Sequence, residues 1–548
     1  MVILSIEMGF DVAALIFQFA LGLIGCGAFW FLLRQTGLMH FGLALYAATG
    51  AFAGVAWVQA TRPWLAVEWQ VALVPVVAAC AAGLLAAVLS RLVIQRSGLT
   101  FAMLSLAVAE MAHLLAPMWP NWTAGEAGLS FSRGHMSHVE MAVMASFWAW
   151  MCVLVWRAWM KRPIALWAAV HRDREERLAL WGIHAFDVRF QTHGWASAAM
   201  GLWGGLTALW LEHVSVQMLD PMLSAWLLLF GWLGGPSVLG LLMGVSVWAI
   251  FRAWAGAWSD SLPLWLGLLF VTITLWRSRK PSRMRGWNSQ VARSLPALTP
   301  DSTPMAAPIP VADSLPVVLT LSQVSVVVED AVLLKPISLD IHKGERLGVM
   351  GVNGAGKSTL LKAITGEKSI CEGGAIHYLG KDITHLPVVE RAKMGITRSY
   401  QSPALFDQMS VVEHVMASIV SREHRFKLTP NGHELTEGPG CPRSDLRAVW
   451  QAEAMDWLNK VDMTAMANTT IEQLSYAHQR ILECVMTAAF APSLALLDEP
   501  TAGMNPAERL AMCRMIDVLF AHSTLILVEH DPDVLESLCH RVIEITPC

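Results

Sequence analysis

Long uncharged apolar stretches separated by short polar breaks run to about residue 280, and beyond about residue 317 short apolar runs alternate with polar, helix-like segments. Val12 to Leu33 is 22 residues without a charge, and about 20 apolar residues at 1.5 Å each cross a hydrocarbon layer of about 30 Å. The same pattern marks Phe41 to Val58, Val71 to Leu89, Leu99 to Met118, Met141 to Met160, Thr192 to Leu211, Leu223 to Gly234 with Val238 to Trp254, and Pro263 to Trp276. The first half is therefore expected to be a polytopic α-helical membrane domain of about eight spans, with the lipid bilayer as its solvent. The break at Gly234-Gly235-Pro236 reads either as a tight turn between spans or as a broken helix. Arg34, Arg91 with Arg96, Lys161 to Arg177, and Arg277 to Arg285 fall on one side of an eight-span arrangement. The positive-inside rule makes that side cytoplasmic.

Composition sharpens the division. Residues 1 to 280 hold 29 of the 82 Asp, Glu, Lys and Arg residues and 22 of the 25 tryptophans, so the two halves are built for different solvents; indoles favour bilayer interfaces. At 548 residues and roughly 150 per domain, more than one core is expected. A net charge of -4 argues against the basic field that a nucleic-acid binder needs, so no nucleic acid is expected as a partner. The nine cysteines, Cys441 and Cys548 among them, include no C-x-x-C pair, so neither a disulfide framework nor a zinc site is expected. The first apolar stretch lacks a basic leader and is too long for a signal-peptide core, so it is expected to remain as a span.

Glu110 and His113 lie three residues apart inside one span, and ionisable groups at that depth mark either a substrate path or a contact between helices. The stretch from His171 to Ile183, HRDREERLALWGI, is charged and amphipathic; it is either a solvated loop or a short helix that docks on a partner. Seven prolines between residues 281 and 316 fix φ and remove donors, which predicts an extended tether between a domain at 1–280 and a second at 317–548.

The second half carries the chemistry. The run Gly351-Val-Asn353-Gly354-Ala-Gly356-Lys357-Ser358-Thr359 follows a strand-like segment. Glycines at this spacing let main-chain N–H groups approach phosphates, Lys357 reaches the β and γ phosphates, and Ser358 ligates Mg²⁺. Leu494 to Leu497 is an apolar strand ending in Asp498 and Glu499, one acid for the metal and one beside the attacking water. A second apolar strand, Leu525 to Val528, runs into Glu529-His530, with His530 able to hydrogen-bond a γ-phosphate. Gln401 follows another strand-like segment, a helix-rich insertion extends to about Gln473, and Ser475 begins a helix as its N-cap. ATP and Mg²⁺ are the expected ligands of an α/β P-loop domain with a helical subdomain.

The ordered set G-x-x-x-x-G-K-S, Gln401, L-S-Y-A-H-Q, L-L-D-E-P and His530 resembles an ABC-transporter ATPase over residues 317 to 548. Its wording, "GVNGAGKSTLLKAITG", "GITRSYQSPALFDQMSVVEHV" and "LLDEPTAGMNP", most resembles the ATPase of branched-chain amino acid importers. In the first half "TGLMHFG", "TFAMLSLAVAE", "WTAGEAGL" and "HRDREERLALWGI" resemble the matching permease. The resemblance makes the last of these a coupling helix contacted by Gln401 and its neighbours. It assigns Glu499, His530 and Gln401 to catalysis, and Ser358, Gln401 and Asp498 to Mg²⁺. Gly351, Asn353, Gly354, Gly356, Lys357, Ser358 and Thr359 bind nucleotide, with Ser475 and Ala477 of the signature serving the opposing site.

The resemblance implies an importer subunit in a bacterial inner membrane, its ATPase cytoplasmic. Its partners would be a second permease, a second ATPase, a periplasmic substrate-binding protein and a small-molecule substrate. The other readings are an ABC half-exporter, an importer of urea or short amides, and a non-transporting membrane regulator with a weak nucleotide site. Three departures stand out. Ala477-His478 puts a methyl group where glycine fits a phosphate nest best. Val328 stands where an aromatic side chain would stack on adenine, and Leu43 follows Gly42 where the permeases carry histidine.

Overall fold

The computed structural model describes residues 11–254, 267–268, 271–272, 275, 315–329, 331–428 and 446–547. Most of the expected span from Pro263 to Trp276, the basic run from Arg277 to Arg285, the tether up to residue 314, and Cys441 and Cys548 lie outside the described residues. The chain folds as two compact units, one of Met1–Ala168 with Phe186–Arg283, the other of Ala169–Ala185 with Met284–Cys548.

The first unit is helical: α1 (Val12–Thr36), α2 (Leu43–Thr61), α3 (Val67–Val93), α4 (Gly98–Leu115), α5 (His138–Met160), the first residues of α6 (Pro163–Leu180), α7 (Ala185–Leu211), α8 (Pro221–Leu233) and α9 (Val238–Trp254). Five of these, α1 to α5, are long and apolar enough to cross a membrane, α4 with its short extension to Met118. The count of about eight is not reached among the described residues, for two physical reasons. Helices α8 and α9 have 13 and 17 residues, about 20 and 26 Å at 1.5 Å per residue, and α7, though 27 residues long, carries Gln191, Thr192, His193 and four glycines among its apolar residues. The break at Gly234 is a tight turn: a Cβ on Gly234 would meet Gly240 and one on Gly244 would meet Phe230, so α8 and α9 pack antiparallel.

Small residues let these helices touch. A Cβ on Gly204 of α7 would lie 1.8 Å from the Ala47 carbonyl of α2, and one on Gly201 would lie 2.4 Å from the Ala78 carbonyl of α3. On α1, Gly22 faces the Trp248 indole, Gly25 faces Trp203 and Gly27 faces Trp156. Most described indoles of this unit are at least part-exposed, as expected of interface packing, but Trp203 is 4% and Trp248 3% exposed, because a glycine opposite leaves the volume a ring needs. The core also holds a polar knot missed from the sequence. His40 stacks on His193 at 4.9 Å between centroids, and His193 Nε2 lies 3.1 Å from the Tyr46 hydroxyl. Glu110 is exposed on α4, and His113 is half-buried.

The second unit holds two sheets. Strands β1 (Val317–Val328), β2 (Ala331–His342), β4 (Ala375–Tyr378) and β5 (Lys381–Asp382) form an antiparallel sheet in the order β2-β1-β4-β5. Strands β3 (Arg346–Met350), β6 (Ile396–Arg398), β7 (Leu494–Asp498), β8 (Thr524–Val528) and β9 (Arg541–Glu544) form a parallel sheet in the order β9-β3-β8-β7-β6. Strands β7 and β8 are buried along their whole length, as parallel strands covered on both faces must be. The helices are α10 (Lys357–Thr365), α11 (Val388–Lys393), α12 (Val411–Leu428), α13 (Leu446–Asn459), α14 (Tyr476–Ala489), α15 (Pro506–Leu519) and α16 (Pro532–Leu538). Helices α12 and α13 make the expected insertion between Gln401 and Ser475.

Candidate nucleotide site

Register brings the motifs together. Val528 pairs with both Val349 and Asp498, so the C-terminal ends of β3, β7 and β8 lie side by side and the loops after them share one sheet edge. Ligands of open parallel sheets bind at that edge.

After β3 the chain turns through Gly351 to Gly356 into α10. Gly356 is its N-cap at φ 96°, and a Cβ there would lie 2.4 Å from the Leu333 carbonyl, so this position admits only glycine. Lys357 is 6% exposed; its Nζ donates to the Gly351 carbonyl at 2.7 Å and the Val352 carbonyl at 3.2 Å, which holds the ammonium inside the loop. Ser358 Oγ donates to Asp498 Oδ1 at 3.1 Å. Burial raises the Asp498 pKa above the ordinary carboxylate value, opposed by the Arg398 guanidinium and the Ser358 hydrogen bond. Arg398 Nη1 lies 3.6 Å from Asp498 Oδ2, and its Nη2 pairs with Glu367 at 3.0 Å.

Glu499 follows in a left-handed conformation, φ 49°. Its N–H donates to the Val528 carbonyl at 2.9 Å, and its Oε1 lies 3.0 Å from His530 Nε2. A non-glycine residue at positive φ costs about 1–3 kcal/mol and persists where its surroundings hold it. Glu499 is held at both main-chain groups: Arg480 Nη2 donates to its carbonyl at 2.8 Å.

The structure gathers Lys357, Ser358, Asp498, Glu499 and His530. Gly351 is buried, Thr359 is half-buried, and Asn353 and Gly354 face solvent. Gln401 is exposed just beyond β6. Ser475 caps α14, accepting from the His478 N–H and meeting His478 Nδ1 at 2.6 Å, while Ala477 is buried in the first turn. Among the described residues neither Gln401 nor the signature pair Ser475 and Ala477 is hydrogen-bonded to the cluster. Val328 is exposed at the β1 end, opposite Ala331.

Four residues given no role by sequence reasoning shape the site. Glu529 is buried; its Oε1 accepts from the Thr501 N–H at 2.8 Å and hydroxyl at 2.7 Å, tying the loop after Glu499 to the end of β8. Burial raises its pKa, and the Thr501 bonds oppose the rise. Its signal was an acid at an apolar strand end, directly before His530. Arg398, Arg480 and Glu483 left no such signal, since charges on a helix or strand ordinarily read as solvated.

The charged stretch docks in the same unit. Helix α6 breaks at Arg174, φ -151°; beyond it Arg177, Leu178, Leu180, Trp181 and Ile183 are buried. Trp181 meets Phe406 edge-on at 6.1 Å, the Leu180 carbonyl accepts from Thr397 Oγ1 at 3.3 Å, and Arg177 pairs with Glu483 at 2.6 Å.

Residues 334–502 match the family described as ABC transporter. Over 208 residues the chain is 31% identical to the high-affinity branched-chain amino acid transport ATP-binding protein LivG of Salmonella typhimurium, covering 38% of this chain and 79% of that protein. It is 31% identical over 211 residues to the corresponding protein BraF of Pseudomonas aeruginosa, covering 38% and 80%. It is also 31% identical over 212 residues to the lipopolysaccharide export system ATP-binding protein LptB of Acidithiobacillus ferridurans, covering 38% and 78%. The chain belongs to the ABC transporter family, and its ATPase domain, related to branched-chain amino acid transport ATP-binding proteins, hydrolyses ATP to drive transport.

Proposed function

We propose that the chain is one half of an ATP-driven importer, with a permease at 1–280, a tether at 281–316 and an ATPase at 317–548, carrying branched-chain or related amino acids across a bacterial inner membrane. The observation that carries this reading is the joining, on one polypeptide, of five apolar helices long enough to cross a membrane with a nucleotide site of the branched-chain type. The burial of Arg177 and Trp181 against the ATPase supports a coupling role for the stretch that contains them. A second permease, a second ATPase and a periplasmic binding protein complete the assembly.

In the mechanism the loop from Gly351 to Gly356 and the start of α10 bind phosphate through main-chain N–H groups. Asn353, Gly354 and Thr359 belong to this cradle, and Lys357 exchanges its two carbonyl bonds for phosphate oxygens. The Ser358 hydroxyl and the Asp498 carboxylate, 3.1 Å apart, are hard oxygen donors that fit Mg²⁺, with Gln401 as the third. Bound Mg²⁺ supplies neutralisation of phosphate charge. Glu499 takes the proton of the attacking water, oriented by His530, 3.0 Å away. Ser475 and Ala477 serve the site of the opposing ATPase. Export is the rival reading, supported by the 31% identity to the lipopolysaccharide export protein.

The test is uptake of a labelled panel, leucine and urea included, by cells expressing this chain with its neighbouring components, together with the Glu499→Gln variant. Uptake of a panel member by the wild type alone, with ATP still bound by the variant but not turned over, is expected. Unaltered turnover removes Glu499 from the role of base, and no ATP-dependent uptake of any member removes the import reading.

A further inference from the structure

We propose that Arg177 is a positioning residue for ATP hydrolysis, acting through Glu483 and Arg480 on the main chain of Tyr400 and Glu499. Arg177 and Glu483 are each 1% exposed, and their 2.6 Å contact joins the docked stretch to α14. Glu483 Oε1 also accepts from the Tyr400 N–H at 3.1 Å. Three residues earlier on the same helix, and so on the same face, Arg480 donates to the Tyr400 carbonyl at 3.1 Å and to the Glu499 carbonyl at 2.8 Å. One helix face therefore grips both main-chain groups of the residue before Gln401 and the carbonyl of Glu499.

A second arm runs through the Tyr400 ring. The guanidiniums of Arg177 and Arg398 each lie 5.2 Å from its centroid, and Arg398 reaches Asp498. Both arms start at Arg177 and end on the two acids that follow Leu497.

Packing by Leu178, Leu180 and Trp181 already anchors the stretch, and desolvation of a buried ion pair consumes much of its Coulomb gain. What the pair adds is direction: it sets where α14 stands relative to Glu499, whose left-handed backbone tolerates little drift. Movement of the stretch is thereby passed to the base without passing through the nucleotide. The inference rests on Glu499 as the base.

The test uses the full-length chain assembled with its partner permease and ATPase in lipid nanodiscs, reading kcat and KM for ATP, binding of a fluorescent ATP analogue, and the melting temperature. Arg177→Met strands a buried carboxylate, so Arg177→Met/Glu483→Met is made beside it to remove the unpaired charge. In the double variant kcat falls by about tenfold to a hundredfold while the melting temperature and analogue binding match wild type and KM changes by less than about twofold. Arg177→Lys restores part of kcat. A stable double variant with wild-type kcat overturns the proposal, as does a fall in kcat that tracks the melting temperature across the series. Glu499→Gln run in parallel separates the two ideas: if it still turns over ATP, the base assignment fails whatever Arg177 does.

Discussion

In the second unit Arg177, Glu345, Arg391, Arg398, Arg480, Glu483, Asp498 and Glu529 are all buried, and each meets a partner. Arg391, for example, donates to the Ala363 and Ile364 carbonyls at the end of α10. Among the described residues of the first unit, Arg189 is the buried member of the Asp, Glu, Lys and Arg set; the interior is otherwise built from aliphatic and aromatic side chains, closely approaching glycines and alanines, and a few hydroxyls, amides and imidazoles. Both interiors are specified closely, by different means. Directional bonds to charged groups choose one arrangement of loops around the nucleotide, whereas close approach of helix backbones chooses one arrangement of spans, because lipid chains offer helices no hydrophobic reason to associate.

The comparison is sharpened most by Gly356→Val. Its branched side chain would collide with the Leu333 carbonyl at a position of φ 96°, so ATP-analogue affinity should fall by about a hundredfold or more while the first unit folds normally; retained affinity would mean that the loop re-forms around a Cβ. Next is Gly204→Leu, the counterpart made of packing alone. A side chain 1.8 Å from the Ala47 carbonyl should destabilise the helical unit by about 3 kcal/mol or more. Recovery of folded chain should drop, yet analogue binding per folded molecule should not, and equal losses of both would erase the distinction between the units.

The smallest effect concerns His414, fully buried, with Nε2 accepting from the Phe406 N–H at 2.9 Å and Nδ1 bonded to the Ser410 carbonyl at 2.7 Å. Burial lowers its pKa to about 4 from the ordinary 6.5, so the folded state binds the proton less well than the unfolded one. Its contribution is fully present above pH 6.5 and is lost as pH falls toward 4, up to about 3 kcal/mol. Asp498 and Glu529, raised by burial, slope the other way, their contribution being lost as pH rises above the ordinary carboxylate range. The clean readout is therefore the difference between wild type and His414→Gln in denaturant midpoint from pH 7 to 4.5, expected to shrink on acidification. A pH-independent difference would remove His414 as the source.

The nucleotide site was legible because its chemistry is local: Lys357 and Ser358 follow their glycines directly, and Asp498 and Glu499 end their own strand. Glu529 stood in view beside His530, yet its grip on Thr501 depends on a loop 28 positions away. Arg177 and Glu483, 306 positions apart, had no shared signal at all. In the first unit, length and hydropathy identified α1 to α5 and left the break at Gly234 open between a tight turn and a broken helix; packing decided between the two and which indoles turn inward.

What the sequence determined by itself is everything carried by short spacing and by solvent preference: apolar lengths that match a membrane, a phosphate loop, acids at strand ends and a cap at Ser475. The tertiary structure decided what depends on two distant segments meeting. It set Glu499 in a left-handed turn under Arg480, His40 against His193, Gly204 against Ala47, and Arg177 against Glu483. The physical reason is that hydropathy and backbone preference act over a few residues, whereas burial pairs groups by their position in space, and a buried charge or a missing side chain acquires its meaning only from what stands opposite.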